Sequence, residues 1–488
     1  MRSLLATSGL PRVSLFSTVA ALGLLLLPLC ASAGVVIRVP LDATTIAEGL
    51  GIGTPGDTVR VDCETYYESD LTLPDGVVLE SAGWDSGCVV IDGGRSGTIL
   101  SCVGNTSGTV RNITFQRGTD THGGAVYCSN ATVTFEGCFF RHNDADTGGA
   151  IYCVNGNPEI QGCTFSHNVS TASGGAIALF QTGGTVGGCR FEYNEALIGG
   201  GAFSHLLNTT TAFTECEFYM NSATSWLEGG GGVYNGQQVA TSFLHCRFEH
   251  NDALEGGGAY NAVKAQASFT GCGFESNVAT SYGGAVYGYD DDATFSDCEF
   301  IYNESLGSGG GLYLNKSDIE MDFCTVYMNE AIAGGGIQAI DNSTLDLESC
   351  TIVENAVDVR AVGGAGLLLA GTTLATIDQT IIAFNRGGEG LKCQDSAAAT
   401  LTCSDVSDNA GGDWIGCIAG QDLLDANIHA DPFFCNVPAY ILDLCEDSPC
   451  LGVNNDCGLT MGSWTWTCAP CGQPVETTSW GVIKGMYR

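Results

Sequence analysis

Three consecutive carboxylates, Asp290-Asp291-Asp292, are the densest patch of hard-cation chemistry in the chain. Carboxylate oxygens in such a run can ligate calcium, and a calcium ion can in turn neutralise an acidic ligand. No basic residue stands beside the triplet, but Lys264 precedes Asp290 by 26 residues and Lys316 follows it by 26. An amine held next to a cation-bound acid can serve as a general base. Read without a fold, the triplet is a solvated acidic turn that could carry calcium, and no residue is assigned as catalytic. Everything depends on whether residues 26 apart are brought together.

The elements that would do so are repeats. A motif Cys-x-(Phe/Val/Ile)-x-x-Asn recurs with Cys at 138, 163, 189, 216, 246, 272, 298, 324 and 350. Its Asn falls at Asn143, Asn168, Asn194, Asn221, Asn251, Asn277, Asn303, Asn329 and Asn355, and a tenth copy ends at Asn385 with Thr380 in the Cys slot. Each copy opens on a Gly-Gly pair, as in Gly123-Gly124-Ala125-Val126-Tyr127 and Gly283-Gly284-Ala285-Val286-Tyr287. A fixed period in the twenties is the mark of a stacked solenoid. Between the landmarks apolar residues alternate with period two, which is strand spacing, and no window offers a long amphipathic helix. The sequence therefore predicts an all-β, right-handed parallel β-helix with three strands per coil and about twelve or thirteen coils. A short helix over 44–50 should cap its start, and a Cys-rich segment its end.

Stacking turns every repeat position into a column. Phe140, Phe165, Phe191, Phe218, Phe248, Phe274 and Phe300 form an inward aromatic column continued by Val326 and Ile352. The nine Asn residues form a ladder, because buried amides must bond neighbouring turns. The column cysteines read as small packed thiols; a straight column does not converge on a metal. Cys128 and Cys153 lie one coil apart and could pair. His142 and His167 share a column with His250, interrupted by Tyr193 and Met220, and are a possible metal pair. Tyr193, Tyr219, Tyr302 and Tyr327 could stack on sugars. Outward charges, including Arg190, Glu217 and Arg247 after successive column cysteines, alternate as a stackable surface requires.

Composition narrows the partners. Acids outnumber bases 54 to 17, for a formal net charge of −37, which disfavours nucleic acid and anionic lipid. Arg2 and Arg12, an apolar run from Val19 to Leu29 and Ala31-Ser32-Ala33 read as a signal peptide over 1–33, so export to the outer cell surface or the medium is expected. Residues 34–112 read as a cap with irregular first coils, 113–390 as regular repeats, 391–472 as a Cys-rich cap and 473–488 as a tail that could be a sorting tag. No transmembrane segment is expected after signal removal, and the chain reads as a monomer. Nine cysteines from Cys393 to Cys471 are expected to form disulfides, and because their number is odd at least one stays free or pairs elsewhere.

The stretch Thr45-Ile46-Ala47-Glu48, Gly56-Asp57-Thr58-Val59 and Tyr66-Tyr67-Glu68 resembles the opening of secreted right-handed β-helix proteins with the pectin-lyase-like fold. The Gly-Gly-Ala-(Ile/Val) and Phe-x-x-Asn elements resemble the repeats of bacterial polymorphic outer-membrane proteins, which implies a surface-exposed adhesin. The serial strands of that family's membrane barrel are not found after the last repeat. The pectin-lyase-like resemblance also implies an alternative, a calcium-dependent polysaccharide lyase or uronate epimerase. Such an enzyme would use Asp290, Asp291 and Asp292 for calcium and Lys264 or Lys316 as base. The Gly-His-Gly and Arg-Ile-Lys motifs of a polygalacturonase are absent. The expected function is thus an exported binding, adhesion or structural protein without a cofactor, calcium apart. Its expected partner is a glycan or a surface protein of a host or neighbouring cell.

Overall fold

The computed structural model describes residues 34–463, apart from 106, 206–209, 227–228 and 359–362, together with residues 467–468. The predicted signal peptide, Cys471 and the tail lie outside the described residues.

The chain winds into parallel coils that build four sheets of 15, 14, 10 and 13 strands. One regular coil runs Thr134–Glu136, Phe139–Arg141, Asp144–Thr147 and Ile151–Val154, and each strand pairs in register with its equivalent one coil away. The expected three strands per coil are therefore four. The run after the ladder Asn also extends far enough to pair, as Asp144 does with Thr119 and Val169.

The coil count also exceeds expectation, because the longest sheet has 15 strands. Four of its strands precede the ten repeats, and Ala398–Thr402 follows them. In that last coil Asn409 accepts from the backbone N–H of Asn385 (3.1 Å) and from its side-chain amide (2.8 Å). Ser404 replaces Cys in this copy, Ser-x-Val-x-x-Asn, which hid it from a search built on cysteine.

Two ladders hold the turns. The Asn277 amide donates to the Phe248 carbonyl (2.8 Å) and to Asn303 Oδ1 (2.9 Å), while Asn303 Oδ1 also accepts the Asn277 backbone N–H (3.0 Å). The same pattern runs along all nine predicted positions, each with its side chain buried. The cysteine column is a second ladder. The Cys163 N–H donates to Cys189 Sγ (3.4 Å), and that thiol faces the carbonyls of Gly187 (3.3 Å) and Ile160 (3.5 Å). Thr380 and Ser404 do the same with hydroxyls, accepting from the N–H of Cys350 (3.2 Å) and Thr380 (3.1 Å). The column is thus a hydrogen-bonding position as well as a packed one, which corrects its reading as a purely apolar slot. Burial, with the neighbouring thiols adding to it, raises the pKa of Cys163 and Cys324 well above the ordinary thiol value. Cys128 and Cys153 also remain thiols.

Inside the coils the predicted phenylalanines stack with centroids 4.6 Å apart at Phe248 and Phe274, and 5.0 Å at Phe274 and Phe300. A second column, Phe213, Phe243, Phe269 and Phe295, meets the first edge to face. Each buried ring contributes about 2–3 kcal/mol. The helix Ile46–Ile52 closes the first coil: Thr45 Oγ1 caps the Glu48 N–H, and Ile46 and Leu50 are buried.

Beyond the last coil Trp414 and Ile418 close the core. The remaining chain folds back over the outer face of the 14-stranded sheet. There Leu442, Leu444, Leu451 and Met461 pack on Ile301, Tyr327, Val353, Ile381 and Ala383. Disulfides join Cys393 to Cys417, Cys403 to Cys457 and Cys435 to Cys468, and a further one, Cys63 to Cys88, fastens the first coils. Among the described residues no helix is long and apolar enough to cross a membrane.

Candidate functional site

The spacing argument for the acidic turn holds as far as the backbone. Lys264, Asp290 and Lys316 occupy the same left-handed turn position of successive coils, with φ of 58°, 51° and 59°. The carboxylates then diverge: Asp290 is half-buried, Asp291 is 0% exposed and Asp292 is exposed. Among the described residues, the one cluster of three or more ligand atoms within 4.8 Å of one another is Cys435, Cys445 and Cys468. Cys435 and Cys468 are already joined to each other. The three aspartates therefore do not form a preassembled calcium cradle. Lys316 lies over the Tyr289 ring, 5.5 Å from its centroid.

Asp291 has a different place. Asn235, Asn261 and Gly288 stand in register on consecutive coils, and the Asn235 amide donates to Asn261 Oδ1 (2.8 Å). At Gly288 the inward side chain is missing. A Cβ there would lie 2.5 Å from Asp291 Oδ1, so the carboxyl fills the slot of a third amide. Neither of its oxygens makes a hydrogen bond of normal geometry. Burial pushes its pKa up to about 7, with the nearby Ser317 and Asn261 opposing that rise. Asp291 is an interior group, and its triplet is not a surface ligand set.

The histidine and tyrosine candidates form a chain of rings. His142 and His167 lie 5.2 Å apart, His167 and Tyr193 5.0 Å, and Tyr193 and Tyr219 5.8 Å edge to face. The faces of His167 and Tyr193 turn towards each other along the stack, so they are not free platforms for sugars. Tyr302 is exposed, but Tyr327 is fully buried and its hydroxyl donates to the Val437 carbonyl (2.8 Å) beneath the folded-back segment. The expected row of four tyrosines is thus broken. Burial, then the neighbouring His167, Arg141 and Arg95, lower the pKa of His142.

A concavity does form on the 14-stranded sheet, at residues that the sequence reading assigned to no site, Arg247 having been read only as part of an alternating surface. After successive column cysteines the outward positions run Arg190, Glu217, Arg247, Gly273, Glu299 and Thr325, all in register. Arg190 bonds directly to Glu217 of the next coil and to Glu192 (2.7 Å). At Gly273 the row loses its side chain, and a Cβ there would meet nothing within 4 Å. Gly271 opens the adjacent turn: a Cβ on it would lie 2.4 Å from His245 Nδ1, because the imidazole leans across it. The result is a cleft of about 360 Å³. His245, Arg247 and Glu249 line it from one coil, Glu275 from the coil of the two glycines, and Asp297, Glu299 and Ile301 from the next. Arg247 is steadied by Glu249 at 2.7 Å. A shallower hollow of about 320 Å³ at Gly187 and Gly188 carries Glu215 as its one charged group. The sequence signal was Gly271-Cys272-Gly273-Phe274, a copy lacking the polar residue after Cys, and a search for added residues does not see a removed one.

The family defined as right handed beta helix region matches residues 98–272 and 260–418, so the chain belongs to the right-handed beta helix family. Solved structures match the chain at low identity and low TM-score. A mannuronic acid specific polysaccharide family 6 lyase from human gut microbiota is 11% identical with a TM-score of 0.33, over 77% of this chain and 86% of that one. The A-module of a mannuronan C-5 epimerase from Azotobacter vinelandii is 13% identical with a TM-score of 0.27, over 77% and 91%. A PL6 family alginate lyase is 9% identical with a TM-score of 0.17, over 78% and 81%. No curated protein matches the chain. The resemblance of the repeats to polymorphic outer-membrane proteins finds no counterpart in these matches.

Proposed function

We propose that the protein is an exported β-helical binding protein and that the cleft over Gly273 is where it takes a glycan segment. The carrying observation is the cleft itself: a concavity of about 360 Å³, lined by convergent polar side chains on a rigid sheet. Among the residues that follow the nine column cysteines Gly273 is the one glycine, and a side chain missing between Arg247 and Glu299 marks a place where something other than packing is served. Hydroxyl-rich ligands suit a lining of guanidinium, imidazole and carboxylates, each of which offers directed hydrogen bonds. Titration calorimetry of the purified chain against neutral, amino and uronate oligosaccharides tests the reading. Saturable binding that disappears in Gly273→Arg supports it, and equal binding by that variant refutes it.

A second reading is favoured by the same lining. A guanidinium and an imidazole facing two carboxylates is also what acid-base chemistry on an uronate would use, with a cation offsetting the chain's net charge of −37. Under this reading the protein is a calcium-dependent lyase or uronate epimerase. Ultraviolet absorbance of an unsaturated product, or a changed uronate epimer ratio, would appear with calcium and vanish with chelator. An Asp292→Asn variant losing that activity would return the acidic turn to the site.

A further inference from the structure

We infer that the first coils carry a second ligand site, in which Arg141, His142 and His167 take the sulfate or phosphate group of a substituted sugar and Trp84 takes the sugar ring. The site shares the 14-stranded sheet with the cleft over Gly273 but lies five coils nearer the start, about 24 Å along the stack, and does not depend on that cleft. With 54 acids to 17 bases, a cation in this chain has no shortage of partners. Every other arginine among the described residues pairs with a carboxylate, from Arg38 with Asp42 to Arg386 with Glu354. Arg141 is the exception. Its Nε donates to Gln116 Oε1 (3.0 Å), and its guanidinium lies over the Phe139 ring, 5.5 Å from the centroid. Those contacts hold the group in place, and its terminal nitrogens donate to no described residue.

Two imidazoles stand beside it. His142 follows Arg141 in the chain, and His167 takes the same left-handed turn one coil on, with φ of 55° at both and ring centroids 5.2 Å apart. Both are exposed. The hydroxyl of buried Ser166 lies 2.7 Å from His167 Nδ1; when it donates, the neutral ring keeps its proton on Nε2 as a donor for a ligand. The acids nearby are engaged, Asp144 with Arg95, Asp92 with Arg117 and Glu192 with Arg190, and Glu195 stands on the neighbouring 10-stranded sheet, one coil beyond Val169. On its far side His167 meets the Tyr193 ring. The groups that act on His142 are His167, Arg141 and Arg95, all of one sign, so an anion placed among them favours its protonation. Three donor groups on two coils suit the three free oxygens of a sulfate or phosphate ester, where a carboxylate offers two. Trp84 adds the apolar part. It is 99% exposed on a pinned loop, in which Cys88 is joined to Cys63 and the Ser86 carbonyl accepts from Thr114 Oγ1 (2.7 Å). Thr114 is in register with Phe139, which puts Ser86 one coil from the strand of Arg141. An indole held open in this way is a stacking face for a sugar.

Inorganic sulfate is the first probe, compared with chloride at equal ionic strength, with the imidazole Cε1–H signals of the purified chain followed by NMR. Sulfate should move the signals of His142 and His167 saturably, leave that of His429 alone, and raise the titration midpoint of His142 by about one pH unit. The complex then holds an extra proton, so affinity should rise as pH falls from about 8 to 6, a range in which sulfate itself does not titrate. Arg141→Gln should weaken sulfate about tenfold, and Arg38→Gln should leave it unchanged. The double variant His142→Gln, His167→Gln should lose the pH dependence. These are surface positions, so melts of the variants should match the parent. N-acetylglucosamine 6-sulfate, its 6-phosphate and the unsubstituted sugar separate the sources: the tighter ester identifies the group. A fluorescence change with that ester, absent with inorganic sulfate and lost in Trp84→Ala, supports the stacked sugar. An ester that binds no better than inorganic sulfate, in the parent as in Trp84→Ala, removes Trp84 from the site. Sulfate that moves neither imidazole, or that binds Arg141→Gln as it binds the parent, overturns the inference. Gly273→Arg should bind every one of these probes as the parent does, and a loss there would make the two sites one.

Discussion

The coils bearing Arg190 and Glu217 and those bearing Arg247, Gly273 and Glu299 share the same ladder and differ most on the outside. Inside, both carry the same rungs: Asn194 with Asn221 and Asn251 with Asn277, each bonded at 2.9–3.1 Å, over phenylalanines 4.6–4.8 Å apart. Both regions pair their arginines within the protein, Arg190 with Glu192 and Glu217 and Arg247 with Glu249, but the open region withholds one side chain and leaves a hollow. A solenoid can therefore gain a site without touching its core. A coil is rigid through its ladder and can lose an outward residue at little cost.

The largest effects should be blind to the difference. Asn221→Ala and Asn277→Ala each strand the preceding rung's N–H and amide and one carbonyl, and each should cost about 3–6 kcal/mol in chemical denaturation. A clearly smaller loss for Asn277→Ala would mean that the open coil is loosened internally, and the comparison would break.

Asp291 gives the next effect. Its folded pKa of about 7 lies above the ordinary 3.8, so the folded state holds a proton that the unfolded state gives up first. Its contribution is least unfavourable below pH 4, and stability is lost as pH rises from about 4 to 7. Asp291→Asn keeps the shape without the charge and should melt higher than the parent at pH 8, by the equivalent of about 2–4 kcal/mol, with the gap closing by pH 4. A gap that does not vary with pH would remove the buried charge as its cause. Asp405, pushed up to about 8 by burial under the folded-back segment, should leave a residual slope at slightly higher pH in that variant.

Cys272→Ser and Cys216→Ser should each change stability by less than about 1 kcal/mol, since Ser404 and Thr380 already serve the same rung with hydroxyls. A large loss at both would make the thiol's size, and not its hydrogen bonds, the reason for the column. Smallest of all, Glu217→Gln removes a partly exposed ion pair worth about 0.5 kcal/mol. Gly273→Ala, with nothing within 4 Å of the added methyl, should be neutral or gain a few tenths of a kcal/mol. Paired melts of these two variants would show whether closing or opening the row matters to the fold at all.

The solenoid was legible because each column announces itself as a recurring residue type: Asn at every turn, Phe two residues after Cys. The last coil was not, because Ser404 performs the cysteine's task under another letter. The folded-back segment has no period, and its contacts join residues far apart, such as Tyr327 to Val437, which no local pattern encodes. The acidic triplet drew notice as three like residues, yet the left-handed turn at Asp290 redirects the chain, and Asp291 lands inward while Asp292 stays outside. The cleft escaped for the opposite reason, being written as an omission at Gly273.

The ladder's regularity carries a hazard for assembly, since any rung fits any other and a growing stack could thread one turn short. The segment that returns over the side of the coils is a landmark that the ladder lacks, because it packs on particular coils only. The outward row beneath it reads Glu249, Glu275, Ile301, Tyr327, Val353 and Ala383, and only its later, apolar members lie under Leu442, Leu444 and Met461. Carboxylates such as Glu275 stay outside that apolar cover, where burying their charge would be costly, so the edge of the cover coincides with the change from acidic to apolar side chains.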